Sequence, residues 1–268
     1  LDEITWNSWY HRIMDDLGFD KQKDLESTQV LNNLLEKHDN KYDINNLEDI
    51  IHNREIYVFG AGPSINKHTT KFNDLKNLEN DNKDKINNKD KINNKDKINN
   101  KDKINKGYIV ISADGATKAL LEDNIRPDII ITDLDGHMNE IIECSEKGTV
   151  IVVHAHGDNT ENVKKYLSQL KNVIGSSQVP DVSKFENIIN YGGFTDGDRC
   201  IFLANEFKPS KIILCGMDFG TKVTSYSRPN LKNKIENADE IKIKKLKYAE
   251  ELTNWLIEHG NCNIEFMN

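Results

Sequence analysis

Cysteine is scarce in this chain and nowhere paired: Cys144, Cys200, Cys215 and Cys262 stand far apart and form no Cys-x-x-Cys unit. This argues against a disulfide framework and a cysteine zinc site, and it suits a reducing compartment. Long apolar runs are missing too. No stretch approaches the roughly 18 residues of a membrane span, and no charged-then-apolar leader is found, so the chain is expected to be soluble and cytoplasmic, with no membrane partner. Positive charge is in deficit, with 36 lysines and arginines against 44 aspartates and glutamates. Nine of those lysines and four of the aspartates fall in the short stretch 83–106; without it the balance is 27 against 40, a net charge of -13. So acidic a body repels a nucleic-acid backbone, and no nucleic-acid partner is expected. An anionic substrate would instead need a metal ion or backbone amides to neutralise it.

With 268 residues the chain can bury a substantial core, although only 37% of them are apolar. Residues 1–54 read as an N-terminal helical segment. Trp6, Trp9, Tyr10, Ile13 and Leu17 recur at helical spacing, Gly18 offers a stop, and 25–35 and 47–51 continue the pattern. This aromatic stripe is expected to serve packing. From residue 55 the pattern changes. Short Ile- and Val-rich runs at 56–59, 108–111, 128–131, 150–153, 173–174, 188–189 and 212–215 alternate with helix-like stretches. Continuous apolar runs suit parallel strands covered on both faces. The alternation predicts an α/β domain over 55–268, a Rossmann-like doubly wound, mostly parallel sheet with an N-terminal helical extension. A last helix over 238–259 and an edge strand over 263–266 complete it. The hexapeptide Lys-Asp-Lys-Ile-Asn-Asn, repeated from Lys83, cannot build a core with one isoleucine per repeat, so 81–106 is expected to be a disordered low-complexity insertion.

The candidate chemistry gathers where strands end. Gly60-Ala61-Gly62-Pro63-Ser64 follows a strand and opens a helix. Glycines let the backbone approach a ligand, and the free amides of a helix start hold phosphate oxygens, which makes Gly60, Gly62 and Ser64 candidate phosphate contacts. The loop is no full dinucleotide fingerprint, because Ile65 stands where a third glycine belongs. Asp114 closes the second strand, and Asp133 and Asp135 close the third, as Thr132-Asp133-Leu134-Asp135-Gly136. In an extended chain residues two apart point the same way, so this pair is expected to face one site at the carboxyl edge of the sheet. Mg²⁺ takes one or two carboxylates plus substrate phosphates, which an Asp-x-Asp pair fits. After the fourth strand, His154 is expected to pack while His156 and Asp158 reach a loop; a phosphate or substrate contact ranks above a His-x-His zinc site, for want of a third ligand. In Gly192-Gly193-Phe194-Thr195-Asp196-Gly197-Asp198-Arg199, Thr195 and Asp196 are ordinary helix caps or, with Asp198, sources of metal ligands, and Arg199 can balance phosphate charge. Asp218 lies in Gly216-Met217-Asp218-Phe219-Gly220, and the loop beyond carries Lys222, Tyr226 and Arg228 as a candidate lid.

Taken in order, the elements at 60–64, 113–116, 127–136, 154–159, 192–199 and 216–220 resemble the archaeal 6-hydroxymethyl-7,8-dihydropterin pyrophosphokinase family, which is similar in its central part to thiamin pyrophosphokinases. The resemblance covers 1–80 and 107–268 and leaves out only the repeat. It implies transfer of diphosphate from ATP to the hydroxymethyl group of a pterin alcohol, with Mg²⁺, releasing AMP, as a step of tetrahydromethanopterin synthesis. On that basis Asp133 and Asp135 are expected to hold Mg²⁺, with Asp114 and Asp196 or Asp198 completing the shell or orienting the hydroxyl. Gly60, Gly62, Ser64 and Arg199 would contact ATP. His156, Asp158, Asn159, Phe194, Asp218 and Tyr226 are the substrate candidates, with Phe194, Phe219 and Tyr226 able to stack. The extra N-terminal helices offer a surface for a homodimer.

Rival readings are a glycosyltransferase-like flagellin modification factor, which shares the Gly-x-Gly-Pro-Ser and Ala-Asp-Gly elements, and a thiamin pyrophosphokinase, whose Gly-Asp-x-Asp-Ser is here Thr132 to Gly136. A dinucleotide oxidoreductase lacks its third glycine. A non-catalytic nucleotide sensor has no need of so many carboxylates.

Overall fold

A computed structural model describes residues 1–87 and 107–268. Three helices lead: α1 (Glu3–Leu17), α2 (Lys21–Glu36) and α3 (Asn46–Ile51). The side chain of Asp2 caps α1 by accepting from the Thr5 amide, and Gly18 ends it in the left-handed conformation at φ 66°. The rest alternates strand and helix: β1 (Glu55–Phe59), α4 (Ile65–Asn87), β2 (Tyr108–Ala113), α5 (Ala116–Glu122), β3 (Ile129–Thr132), α6 (Met138–Glu146), β4 (Val150–Ala155), α7 (Thr160–Tyr166), β5 (Val173–Ser177), β6 (Ile188–Ile189), α8 (Asp196–Glu206) and β7 (Lys211–Cys215). A small antiparallel hairpin of β8 (Lys222–Thr224) and β9 (Ile235–Asn237) follows, then α9 (Glu240–His259) and β10 (Asn263–Phe266). Helix α4 runs past the expected start of the insertion, and the remainder of the repeat, 88–106, lies outside the described residues.

Eight strands form one sheet in the order β10-β7-β1-β2-β3-β4-β5-β6, and every neighbouring pair is parallel. The doubly wound α/β sheet read from the Ile/Val runs is therefore the observed fold. Successive side chains of a strand point to opposite faces, and the core divides accordingly. Ile56 and Val58 of β1 join a cluster with Trp6, Tyr10 and Ile13 of α1, Ile201 of α8 and Leu252 of α9. Tyr57 and Phe59 turn the other way, onto Ile65 and Phe72 of α4 and Leu120 of α5. Farther along that second face, Ile130, Ile151 and Val153 pack against Leu31 of α2 and Ile141 of α6. The aromatic stripe of α1 is core, as its spacing predicted. Phe59 and Phe202 are fully buried, and truncating either to alanine would cost about 3–5 kcal/mol.

The chain order runs β1 to β6 in one direction across the sheet, then returns to place β7 and β10 on the other side of β1. Connections from β1 and β7 thus leave in opposite directions, and the switch point lies between their carboxyl ends. Helix α8 crosses over β1, β2 and β3, which brings its N-terminus to the same edge. Among the described residues, no helix is long and apolar enough to cross a membrane.

Candidate functional site

A cavity of about 680 Å³ opens along the carboxyl edge of the sheet, within the usual range for small-molecule sites. Its centre is acidic. Asp114 leaves the end of β2, Asp133 the end of β3, and Asp196 is the first residue of α8; one carboxylate oxygen from each lies within 4.8 Å of the others. Asp114 is buried. Its Oδ2 accepts from the Thr132 hydroxyl, while Oδ1 has no partner among the described residues. Backbone crowds in on the same carboxylate, for a Cβ built on Gly136 would fall 1.7 Å from Asp114 Oδ1.

Burial and mutual repulsion leave these carboxyl groups unequal. Burial, and then the charge of Asp133, push Asp114 up to about 8. Burial acts on Asp133 as well, but a hydrogen bond from the His156 ring, at 3.2 Å, and contacts with Asp135 outweigh it and hold Asp133 down at about 2. Asp135 is raised to about 7 by burial and the same charge, and Asp196 is raised well above the ordinary range by burial and by Asp133 and Asp114. One group, the half-buried Asp133, takes the negative charge and the others resist it. Every donor in the trio is a carboxylate oxygen, a donor set that fits a hard divalent cation.

Asp135 stands beside this trio rather than in it. The expectation for Asp133 and Asp135 assumed an extended chain, but Leu134 between them takes φ 65° and is buried, so the two carboxylates do not share a face in the simple alternating sense. Asp198 stands outside the trio too. It is the third residue of α8 and accepts from the amides of Phe194 (2.6 Å) and Thr195 (2.7 Å) and from the Thr195 hydroxyl, so it caps the helix that presents Asp196. Arg199 likewise turns from the cavity. It is buried, with Nη1 on the Ser177 carbonyl and Nη2 on the Gly193 carbonyl, and burial lowers it to about 10.

The glycine loop also departs from expectation. Gly60 and Gly62 line the cavity, but their amides donate to the carbonyls of Cys215 and Gly216 across the switch point. The amide and hydroxyl of Ser64 both donate to Asp218 Oδ2, at 2.9 and 3.0 Å. A carboxylate occupies the helix start that the sequence reserved for phosphate. Among the substrate candidates, His156, Asp158, Phe194, Asp218 and Tyr226 line the cavity. Asn159 does not act there. Its amide nitrogen donates to the carbonyls of His154 and Asp133 and its oxygen accepts from the His156 amide, so it braces the turn after β4. Tyr226 donates to Glu122, and Phe219 rests edge-on against Phe266. The candidate lid at Lys222, Tyr226 and Arg228 is the β8–β9 hairpin and its turn, held at the rim by an ion pair from Arg228 to Asp239.

Four contributions escaped the motif reading. Lys242 and Lys245, three apart on one face of α9, line the cavity; burial lowers Lys242, against the opposing pull of Asp196. The lysine-dense start of α9 was the available signal. His154 and Asp24 also line the cavity, and Asp24 is fixed by Tyr10, Gln178 and the Gly157 amide. Nothing local in the sequence marks Asp24.

An open parallel α/β sheet, with a carboxylate trio and two lysines meeting in one cavity at its switch-point edge, is the arrangement of a small-molecule-binding α/β protein. The particular family is shown by relatives along the whole chain. The model of the 6-hydroxymethylpterin diphosphokinase MptE-like family matches residues 94–224. The 6-hydroxymethyl-7,8-dihydropterin pyrophosphokinase of Methanocaldococcus jannaschii is 51% identical over 100% of both chains. Proteins of the same name from Methanothermobacter thermautotrophicus and Pyrococcus furiosus are 41% and 36% identical, each over 97% of this chain and over 97% and 96% of their own. This chain belongs to that family. Among solved structures, the MAf glycosyltransferase of Magnetospirillum magneticum AMB-1 aligns with a TM-score of 0.47 at 15% identity, over 94% of this chain and 39% of that one, a likeness too loose to bear on the chemistry.

Proposed function

We propose that this protein is a cytoplasmic, Mg²⁺-dependent transferase that moves diphosphate from ATP to 6-hydroxymethyl-7,8-dihydropterin, yielding AMP and the pterin diphosphate for tetrahydromethanopterin synthesis. Full-length identity of 51% to a relative of that name supports the reaction. The observation that carries the site is the convergence of Asp114, Asp133 and Asp196, one oxygen of Asp114 being unpartnered among the described residues. In the reaction the alcohol oxygen bonds to the β-phosphorus, the bond from that phosphorus to the oxygen bridging it to the α-phosphorus breaks, AMP departs with that oxygen, and the hydroxyl proton is released.

Asp114, Asp133 and Asp196 would hold Mg²⁺, and Asp135 stands next to them. Bound there, the ion would neutralise phosphate charge that an acidic body otherwise repels. His156 keeps Asp133 ionised and oriented. Lys242 and Lys245 supply the positive charge once expected of Arg199. Thr132 and the capped α8 keep Asp114 and Asp196 in place, so that positioning and electrostatics carry most of the rate.

The test is incubation with ATP, Mg²⁺ and either the pterin alcohol or thiamin, following nucleotide products. AMP formed with the pterin alone, and abolished by a chelator, is the expected outcome. ADP in place of AMP, or AMP with thiamin only, would sink the proposal.

A further inference from the structure

The cavity has two ends, and they differ in chemistry. Along the strand order β7, β1, β2, β3, β4, β5, the carboxyl edge presents the glycine loops, then the aspartates, then His154 and Gln178. The β4–β5 end lies one to two strand spacings, about 5–10 Å, beyond the aspartates of β2 and β3, so a polyphosphate held against those aspartates leaves it free for a second molecule.

That end contains an unused polar group. His154 is 3% exposed and lines the cavity, yet neither ring nitrogen makes a hydrogen bond of good geometry among the described residues: its polar neighbour is Gln178, whose amide nitrogen is turned to Asp24. Its strand neighbours Val150 and Val152 face the core cluster of α1, α8 and α9, and alternation sets His154 on the same side, just where that core opens. Leaving buried imidazole nitrogens unpaired costs free energy, and a ligand that pairs them recovers it. Burial and the nearby charges of Arg199 and His156 keep the ring neutral. It therefore offers one N–H donor and one acceptor nitrogen. The walls are aromatic: Phe19, in the turn after α1, and Phe194, before α8, both line the cavity, and Lys245 Nζ lies 5.1 and 5.8 Å from their ring centroids.

We propose that the heterocycle of the acceptor alcohol binds at the β4–β5 end, with the His154 imidazole as its buried hydrogen-bond partner and Phe19 and Phe194 as its walls. The placement rests on the pterin reading above. It requires a flat ring with donors and acceptors on its edge, which a pterin is, and it directs the hydroxymethyl group toward the aspartates and the nucleotide beyond them. It also gives the N-terminal segment a part in substrate choice, through Phe19.

The experiment measures two affinities in the full chain: that of 6-hydroxymethyl-7,8-dihydropterin, by its fluorescence, and that of a non-hydrolysable ATP analogue with Mg²⁺. His154→Leu should weaken pterin binding about tenfold or more and leave the ATP analogue within about twofold, and His154→Asn, which keeps a donor and an acceptor, should recover part of the loss. Phe19→Ala, on the half-buried turn, should weaken the pterin in the same selective way and serves if His154→Leu fails to fold. Unchanged pterin affinity in a variant that melts like the wild type overturns the placement while the proposed reaction stands, as does equal loss of both ligands. A wild-type protein that binds the ATP analogue but no pterin overturns reaction and placement together.

Discussion

The two sides of the cavity treat their polar groups in opposite ways. At the β1–β7 crevice everything is paired: Gly60 and Gly62 donate to the facing loop, Asp218 takes both hydrogens of Ser64, and His68 Nδ1 accepts from the Gly216 amide. At β2–β3 the polar groups are in surplus, with three carboxylates brought together, one oxygen of Asp114 unpartnered among the described residues, and most of the three resisting ionisation. A paired cluster stabilises the fold by itself. A surplus of like charge does not, and a ligand of opposite charge would relieve it.

This contrast breaks most directly by removing one charge at a time. Asp133→Asn and Asp114→Asn should each lower AMP formation about 10²–10³-fold at saturating Mg²⁺, while the metal-free melting temperature of Asp114→Asn stays level or rises. If either variant keeps near-normal turnover, the acidic end is not the catalytic end. Next in size, Lys242→Met should lower kcat by about tenfold to a hundredfold, with a smaller change in the KM for the alcohol.

A pH series sharpens the comparison further. Asp114 and Asp135 are raised to about 8 and about 7, so between about pH 4 and pH 8 the native state holds protons that the unfolded chain has released. Their contribution to stability without divalent cations therefore falls as pH rises through that window, while His154 and His68, lowered by burial, oppose it until the unfolded histidines are neutral, at about pH 7. Asp133, held at about 2, is ionised in both states above about pH 5 and adds no slope there. Melting curves in chelator should decline from about pH 7 to about pH 8, and Mg²⁺ should raise the melting temperature most at the alkaline end. A flat profile would mean that the carboxylates do not press on one another as the geometry requires.

The smallest effect belongs to the other side. Asp218→Ala should destabilise by about 0.5–1 kcal/mol, read by denaturant unfolding, because it removes the two exposed hydrogen bonds that hold Ser64. Activity should stay within about tenfold of wild type. Loss of activity without loss of stability would reverse the roles assigned to the two ends.

Much of the fold was legible because parallel strands are buried on both faces and read as unbroken Ile and Val. The β8–β9 hairpin was not, since Lys222–Thr224 and Ile235–Asn237 are three residues each and largely polar. The site was legible in kind more than in membership. Asp196 and Asp198 look alike in a Thr-Asp-Gly-Asp string, and only helix geometry decides that one caps and the other faces the cavity. Asp133 and Asp135 line one cavity as expected, but not through the extended backbone that the spacing assumed, because Leu134 leaves that conformation. Lys242 comes from a helix more than a hundred residues beyond Asp133, and no local spacing connects the two.

The contact between Asp114 and Gly136 restricts how this site can vary. Any side chain at 136 begins with a carbon that would sit 1.7 Å from Asp114 Oδ1 and 2.6 Å from its Cγ, and the displaced carboxylate would leave Thr132 and the other two aspartates behind. Position 136 is thus closed to neutral drift for as long as Asp114 is in use. The two positions are sterically coupled: a side chain at 136 and the present placement of the Asp114 carboxylate exclude each other.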